Sequence, residues 1–369
     1  MDRLSGRLVI VMTSNIFVHP AGNSVYLSGF AAAAREAGLE PWLICPTPYR
    51  PHGPWIRIET RFLAPFVGVR FRRTLRLGSL LVSVDPRDWL GWFRNKRLRS
   101  NSTRFFIQAP SPGQATWTLR AIRRLRPRFV VSNYFAASTL FERLRGVAPT
   151  GILAHDIFSE DLDRKDDAQV GEAVTAKMED FARWLDDEYA AYARADVAIM
   201  IKQGDVERIR PHAPATPATV FPVSVPPAAP AEAGPEAPVA LYIGDAHAAN
   251  VDGLDWLLRE IWPRVRAARP DARLRVAGRA GEVWDGEAPE GAEILGLVPS
   301  LDAEWAGATL STAPIRFGSG VKVKIVESLA KGVPCVSTTL AADGIAPAPE
   351  TALRLGDGAE GFAAAMLAG

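Results

Sequence analysis

The sequence is poor in the features that mark disulfide-rich, membrane-spanning or nucleic-acid-binding proteins. Only two of its 369 residues are cysteines, Cys45 and Cys335, which excludes a disulfide framework and a cysteine-rich zinc site. No apolar run approaches the ~18 residues of a membrane span, and the N-terminus lacks the apolar core of a signal peptide. The formal charge of +2 is far from a nucleic-acid-binding footprint. We therefore expect a cytoplasmic protein without a nucleic-acid partner.

Charge is nevertheless distributed unevenly. Residues 57–104 contain twelve Arg and Lys against three Asp and Glu, whereas residues 151–190 contain twelve acidic residues against four basic ones. Within the basic region, residues 89–99 interleave aromatic residues with cations. Such a segment suits an anionic membrane surface, here the inner face of the plasma membrane, or a lipid-linked phosphate acceptor. A basic helix that packs its aromatic residues on its own domain fits the segment equally well.

Short apolar runs alternate with helical patterns along most of the chain, which predicts α/β architecture. Residues 222–238 hold six prolines and five alanines, a composition typical of a semi-rigid linker. We expect a domain over 1–221, a linker over 222–238 and a second domain over 239–369. Both domains are expected to be Rossmann-like and to face each other across a cleft. The clearest strand patterns are Leu8–Thr13, Pro41–Cys45, Phe129–Asn133, Thr150–Ala154, Val197–Ile201, Val239–Gly244, Arg273–Ala277 and Ala308–Ile315.

One segment of the second domain suits an anion. A buried strand ends near Ile315, and a loop with Gly318, Ser319 and Gly320 leads into a helix predicted over Val321–Lys331. Glycines let backbone N–H groups approach a ligand closely, and the N-terminus of a helix favours negative charge.

Three cations surround the predicted start of that helix. Arg316, Lys322 and Lys324 lie where positive charge opposes the helix dipole, at a typical cost of ~0.3–1 kcal/mol each. A diphosphate would offset that cost, and Glu327 lies farther along the helix, where its carboxylate suits a ribose diol. An ordinary strand–loop–helix unit, with Lys324 and Glu327 as a surface pair, also fits the pattern.

The segment resembles the donor-site signature of GT-B glycosyltransferases of family 4. The loop after the first donor-domain strand, with Gly244 and Asn250, is also similar, and the resemblance covers most of residues 195–345. The matching signature residues are Pro314, Arg316, Gly318, Gly320, Lys324, Glu327, Ala330, Gly332, Pro334 and Val336.

The resemblance implies transfer of a sugar from a nucleotide-diphosphate sugar to an acceptor hydroxyl. It implies retention at the anomeric carbon, no metal and no cofactor, in surface polysaccharide or glycolipid assembly. Glu327 would bind the donor ribose, while Arg316 and Lys324 would hold the diphosphate. The other residues expected at the donor are Gly318, Ser319, Gly320, Lys322, Gly244 and Asn250.

Some positions depart from the family pattern. Ser319 stands where many relatives have a second Glu that contacts the transferred sugar. The loop after residue 243 has no cation before Arg259, and we expect Lys322 or His247 to compensate. Relatives usually continue through more helix beyond the position of Gly369, so the second domain is expected to be short or incomplete.

The first domain supplies three further candidates. His155 follows a strand, where the resemblance implies a histidine near the reacting sugar; a loop-end histidine capped by Asp156 is the alternative. Gly22 and Asn23 match a loop beside the donor phosphate and acceptor, and Asn23 equally suits an ordinary helix N-cap. Residues 161–163 form an Asp-x-Asp triplet in an acidic stretch, for which no metal role is expected.

Two other functions stay open at this stage. A nucleotide-sugar epimerase of the same architecture requires a pair of acid/base carboxylates, and no such pair stands out. A non-catalytic glycosyltransferase-like binding protein is compatible with Ser319 and the single Gly22 of the first loop.

Overall fold

The computed structural model describes residues 5–13, 22–46, 54–94, 109–157, 185–225, 227, 238–346 and 348–368. These residues form two compact units. The first holds the residues up to Asp156 and those from 185 to Val223, and the second holds Ile157 and the residues from Ser224 onward. Each unit contains a parallel sheet with helices, so the predicted α/β class is confirmed.

The first unit contains a seven-stranded parallel sheet. Its central strands are buried on both faces, which explains their continuous apolar runs. The strands of this unit are β1 (Gly6–Met12), β2 (Leu39–Cys45), β3 (Trp55–Arg57), β4 (Gly68–Phe71), β5 (Thr74–Leu77), β6 (Leu80–Ser83), β7 (Phe129–Asn133), β8 (Thr150–Leu153), β9 (Val197–Met200) and β10 (Ala218–Val220). The parallel sheet has the order β10-β9-β8-β7-β1-β2-β4.

The helices of the first unit begin and end at recognisable signals. Ser111 and Gln114 form a capping box around Pro112, which occupies the first helical position. Gly38, at φ +95°, follows the end of the first helix in the left-handed conformation that favours glycine. The helices are α1 (Gly22–Glu36), α2 (Pro86–Arg94), α3 (Pro112–Leu125), α4 (Leu185–Arg194) and α5 (Gln203–Ile209), with a 3-10 segment at Ala136–Leu144.

The basic region adopts structure that its sequence pattern did not reveal. The strands β3, β6 and β5 form a separate antiparallel sheet, in that order, and α2 follows it. Pro86 is the first residue of α2, where a proline costs no hydrogen bond. Residues 95–99 of the basic aromatic segment and the Asp-x-Asp triplet at 161–163 lie outside the described residues.

The second unit contains a six-stranded parallel sheet. The strands are β11 (Val239–Ile243), β12 (Arg273–Ala277), β13 (Ala292–Gly296), β14 (Leu310–Ala313), β15 (Cys335–Ser337) and β16 (Leu353–Leu355), in the order β13-β12-β11-β14-β15-β16. The helices are α6 (Ala248–Trp256), which continues through a π-helical turn (Leu257–Ile261) into α7 (Trp262–Ala268), then α8 (Arg279–Val283), α9 (Leu301–Ala306), α10 (Val323–Ala330) and α11 (Gly358–Leu367).

Strand order locates the place where each sheet receives ligands. The chain order reverses between β1 and β7 in the first sheet and between β11 and β14 in the second. At such a switch point the loops diverge from the carboxyl ends of the two strands and leave a crevice, where open α/β sheets bind ligands. The segments after β11 and β14 contain the donor candidates, and the segment after β7 lies beside His155.

Candidate functional site

Two glycines bring the loops after β11 and β12 together. A Cβ atom on Gly278 would lie only 2.2 Å from the carbonyl oxygen of Gly244, and Gly278 has φ +97°. The Gly244 amide donates to the Ala277 carbonyl at 3.0 Å, and the Ala280 amide donates to the Gly244 carbonyl at 3.0 Å. A side chain at residue 278 would therefore separate the two loops, which explains why glycine occupies this position.

The second of these loops supplies a cation that sequence reasoning missed. The Arg279 guanidinium donates to both carboxylate oxygens of Asp245, at 2.6 and 3.0 Å. The family resemblance places a cation in the loop after β11, whereas Arg279 follows the neighbouring strand β12. Its position directly after Gly278, at the carboxyl end of a predicted strand, was the signal that could have found it.

Two predicted donor residues, Lys324 and Asn250, are in direct contact. The Lys324 ammonium donates to the Asn250 side-chain oxygen at 2.9 Å and lies 4.8 Å from the centre of the Tyr242 ring. The Asn250 amide group donates to the Asp245 carbonyl at 3.1 Å. The Tyr242 hydroxyl donates to the Asn250 carbonyl at 2.6 Å. Lys324 is thus fixed at the switch point, an arrangement that the surface-pair interpretation does not describe.

The surroundings of Lys324 alter its protonation. Burial, assisted by the positive charge of Lys322, lowers the pKa of Lys324 from 10.5 to about 7. The negative charge of Glu327 acts in the opposite direction. A bound anion would favour the charged form further, so this lysine is suited to respond to a diphosphate.

Arg316, predicted to hold the diphosphate, is engaged with a carboxylate. Its guanidinium donates to Asp252 at 3.0 and 2.6 Å and lies 5.3 Å from the centre of the Trp256 ring. The hydrogen bond to Asp252 raises the pKa of Arg316. A bidentate pair of this kind uses two of the five guanidinium donors and joins the β14 end to α6.

The glycine-containing loop is held by Lys322. Its ammonium donates to the Gly318 carbonyl at 3.2 Å and to the Gly320 carbonyl at 2.7 Å. Gly318 has φ +110°, and Ser319 is buried. Helix α10 begins at Val323, two residues later than predicted, because Lys322 at its N-cap has an extended backbone. Glu327 lies half-buried in the second turn of that helix.

His155, in the first unit, follows strand β8, as predicted. It is buried, and its Nε2 lies 2.7 Å from the side-chain oxygen of Asn133 instead of being capped by Asp156. Its ring stacks on Tyr134 at 4.3 Å and meets the edge of Tyr26 at 4.9 Å. Burial lowers the pKa of His155 to about 3, so the ring is neutral at physiological pH.

Asn23 belongs to the same group of side chains. Gly22 and Asn23 form the first turn of α1, and the Asn23 side chain hydrogen-bonds to the Tyr134 hydroxyl. Tyr134 has φ +60°, a left-handed conformation that costs a bulky residue strain. The structure therefore links Asn23 to His155 through Tyr134, a residue that the sequence analysis did not select.

The second unit matches a known protein family. Residues 237–368 match the model of the family described as Glycosyl transferases group 1. The chain carries a glycosyl transferases group 1 domain, and it is a glycosyltransferase. The resemblance that its donor-site motif suggested is thereby confirmed, and the residues around Lys324 lie within the matched domain. A search of curated proteins found no match.

Solved structures extend the likeness to both units. The chain is similar to a sucrose-phosphate synthase from Thermosynechococcus elongatus, with a TM-score of 0.62 and 14% identity. It is also similar to the lipopolysaccharide outer core galactosyltransferase WaaB, with a TM-score of 0.52 and 13% identity. Anabaena HepE in complex with UDP-glucose matches with a TM-score of 0.56 and 12% identity. Each match covers 98% of this chain and 89% of the other. These values show the fold, which is that of GT-B glycosyltransferases.

The described part of the glycosyltransferase contains no helix that is long and apolar enough to cross a membrane.

Proposed function

We propose that this glycosyltransferase moves a sugar from a nucleotide-diphosphate sugar to a hydroxyl group of a glycan or a lipid-linked acceptor. The proposal includes retention at the anomeric carbon, no metal requirement, and a place in surface polysaccharide or glycolipid assembly. The observation that carries it is the Lys324 ammonium, held by Asn250 at the switch point of the group 1 domain.

On the donor side, each residue has a definite task. Cleavage of the bond between the sugar and the phosphate leaves negative charge on the diphosphate. Lys324 and the backbone N–H groups of Gly318 and Gly320 stabilise that charge without proton transfer. Glu327 accepts hydrogen bonds from the ribose diol. Arg316 donates to the diphosphate through the N–H groups that Asp252 does not occupy.

The surroundings of the donor loop complete this assignment. Gly244, Ser319 and Lys322 shape the loops around the diphosphate, as the family resemblance implied. Lys322 contributes chiefly by fixing the loop, since its ammonium donates to two loop carbonyls.

On the acceptor side, His155 acts as a neutral hydrogen-bonding group. Because its pKa is about 3, it does not supply positive charge at neutral pH. Its bond to Asn133 fixes the imidazole, and Asn23 fixes the Tyr134 ring that stacks on it. The acceptor hydroxyl forms the new bond to the anomeric carbon, and its proton passes to an oxygen of the departing diphosphate.

The similar structures suggest the first substrates to test. HepE was solved with UDP-glucose, so UDP-glucose is the first donor to examine. WaaB is a lipopolysaccharide outer core galactosyltransferase, so lipid-linked saccharides are the first acceptors.

The test is sugar transfer by the purified protein from UDP-, GDP- and ADP-sugars to such acceptors, with and without EDTA. We expect one nucleotide to support acceptor-dependent release of nucleoside diphosphate in EDTA. Glu327→Gln should reduce donor affinity about tenfold, because it weakens the ribose contacts. Glu290→Gln is the control, since Glu290 is 90% exposed and pairs only at the surface with Arg266.

Three results would contradict the proposal in different ways. Conversion of the donor sugar to its epimer without an acceptor would indicate an epimerase. Donor binding without turnover on any acceptor would indicate a binding protein. Equal behaviour of the Glu327→Gln and Glu290→Gln variants would remove the ribose assignment.

A further inference from the structure

The small antiparallel sheet of the first unit has an apolar face exposed to solvent. Leu75 lies opposite Val82 and Leu77 opposite Leu80, while Trp55 lies opposite Val82 on the other side. Because alternate residues of a strand share a face, these five side chains lie together. Leu75, Leu77 and Trp55 are 51%, 57% and 42% exposed.

The opposite face of the same sheet is buried. Ile56 and Leu81 lie opposite each other in the register and are almost completely enclosed. The sheet thus packs one apolar face on the unit and turns a second apolar face outward. Most antiparallel sheets with one solvent-facing side carry polar residues there, so the outward face requires a partner.

Helix α2 extends this exposed apolar surface. Trp89 and Trp92 contact Trp55, with ring centres 5.7 and 5.1 Å apart. Leu90 and Phe93 each remain 59% exposed. A groove of about 660 Å³ lies between the sheet and the helix, lined by Trp55, Ile56, Arg57, Leu80, Val82 and Trp89.

Arginines border the apolar surface. Residues 54–93 contain seven arginines against three acidic residues. Of the acids, Asp85 pairs with Arg73, and Asp88 accepts a hydrogen bond from Ser83. The exposed arginines are Arg57, Arg61, Arg73, Arg76 and Arg87. The surface therefore combines exposed leucines and aromatic rings with an excess of positive charge.

This combination favours a lipid surface over a second copy of the chain. A symmetric dimer through this face would bring two surfaces with an excess of arginine together, and like charges at an interface are unfavourable. An anionic bilayer offers negative headgroups to the arginines, apolar depth to the leucines and an interfacial zone that suits tryptophan.

We propose that the exposed face of the β3-β6-β5 sheet, together with α2, docks on an anionic lipid bilayer. Of the segment 89–99 considered from sequence, this surface includes residues 89–93, and it is centred on Leu75 and Leu77. It rests on the proposed function only in that a bilayer would present a lipid-linked acceptor. Docking itself requires neither donor nor transfer.

The test is co-sedimentation of the full chain with vesicles of phosphatidylcholine alone or with about 30% phosphatidylglycerol. We expect binding to the anionic vesicles that weakens severalfold in about 0.5 M NaCl, because salt screens the arginines. The double variant Leu75→Gln, Leu77→Gln should bind on the order of tenfold more weakly. Its control is Leu297→Gln, Leu355→Gln, since both of those leucines are exposed in the second unit.

A second pair of variants examines the charge. Arg57→Gln, Arg87→Gln should weaken binding to anionic vesicles about fivefold, whereas Arg120→Gln, Arg124→Gln on the exposed side of α3 should not. Unchanged thermal unfolding and unchanged donor binding of all variants separate this proposal from the proposed function.

Several outcomes would overturn the proposal. These are absence of vesicle binding by the wild-type chain, equal binding to neutral and anionic vesicles, or wild-type binding by the leucine variant. A dimer that the leucine variant abolishes, without vesicle binding, would assign the face to self-association instead.

Discussion

The carboxyl edge of each parallel sheet has a switch point in strand order, but the side chains at the two switch points differ in charge. In the second unit, Lys324 donates a hydrogen bond to the Asn250 side chain at this edge. Arg279 and Asp245 form an ion pair beside it. In the first unit the edge holds His155 between aromatic rings. Strand order fixes the place where open α/β sheets bind ligands, and we expect the side chains there to select an anion in the second unit and a neutral hydroxyl group in the first.

The same physical cause has different results at the two edges. Burial lowers the pKa of Lys324 from 10.5 to about 7 and that of His155 from 6.5 to about 3. The ordinary pKa of lysine is so high that Lys324 keeps part of its charge at neutral pH even after this shift, whereas His155 loses its charge entirely. Enclosure therefore leaves a partly charged lysine in one unit and a neutral histidine in the other.

The largest expected effect comes from removal of the lysine. Lys324→Met should weaken binding of the nucleotide-diphosphate sugar about a hundredfold, or ~2.7 kcal/mol, because the diphosphate loses its enclosed cation. Calorimetric titration measures the change. Lys331→Met is the matched control, since Lys331 follows the same helix and pairs at the surface with Asp302. Binding by the Lys324 variant within about threefold of wild type would contradict the assignment.

The histidine variant should affect turnover instead of donor binding. We expect His155→Gln to lower turnover about tenfold, since it displaces a positioned hydrogen-bonding group, with donor affinity unchanged. Steady-state kinetics and calorimetry separate the two effects. His212→Gln, an exposed histidine stacked on Tyr189, is the control. Wild-type turnover could instead depend on pH with a pKa near 6.5, and His155→Gln could remove that dependence. This result would contradict a neutral histidine.

Donor affinity should depend on pH through Lys324. Its pKa is about 7, so the protonated form that binds a diphosphate is lost as pH rises. Affinity should fall severalfold between about pH 6.5 and pH 8.5, because free Lys324 loses its proton over this range while bound diphosphate holds the proton in place. The diphosphate of a nucleotide sugar does not titrate in this range. Lys324→Arg should give a flat profile, and a flat wild-type profile would contradict the account.

The smallest expected effect concerns Arg279. Arg279→Gln should weaken donor binding about threefold, because Asp245, whose carbonyl accepts from Asn250, loses its bidentate partner. Arg269→Gln removes a similar exposed pair with Asp271 and serves as the control in the same titration. A loss as large as that of Lys324→Met would instead place the guanidinium on the ligand.

Sequence patterns predicted the parallel sheets because buried strands and glycine-ended helices leave local signals. They predicted Lys324 and Asn250 as donor residues, but not their contact, which depends on the neighbouring positions of β11 and β14. Arg279 was missed for the same reason, since it meets Asp245 across two loops. Tyr134 was missed because its left-handed backbone has no sequence signal in a tyrosine.

The antiparallel sheet of the first unit was also missed. Its strands have only three or four residues, too few for a clear alternation, and one of its apolar faces is exposed. The assignment of domains to 1–221 and 239–369 remains a prediction.

The central claim is that the carboxyl edge of the second sheet binds a diphosphate without metal. The most direct measurement is calorimetric titration of the wild-type chain, in EDTA, with a panel of UDP-, GDP- and ADP-sugars and the corresponding nucleosides. We predict saturable binding of one nucleotide-diphosphate sugar and binding of its nucleoside at least a hundredfold weaker. Equal affinities for sugar nucleotide and nucleoside, or no binding by a folded sample, would contradict the claim.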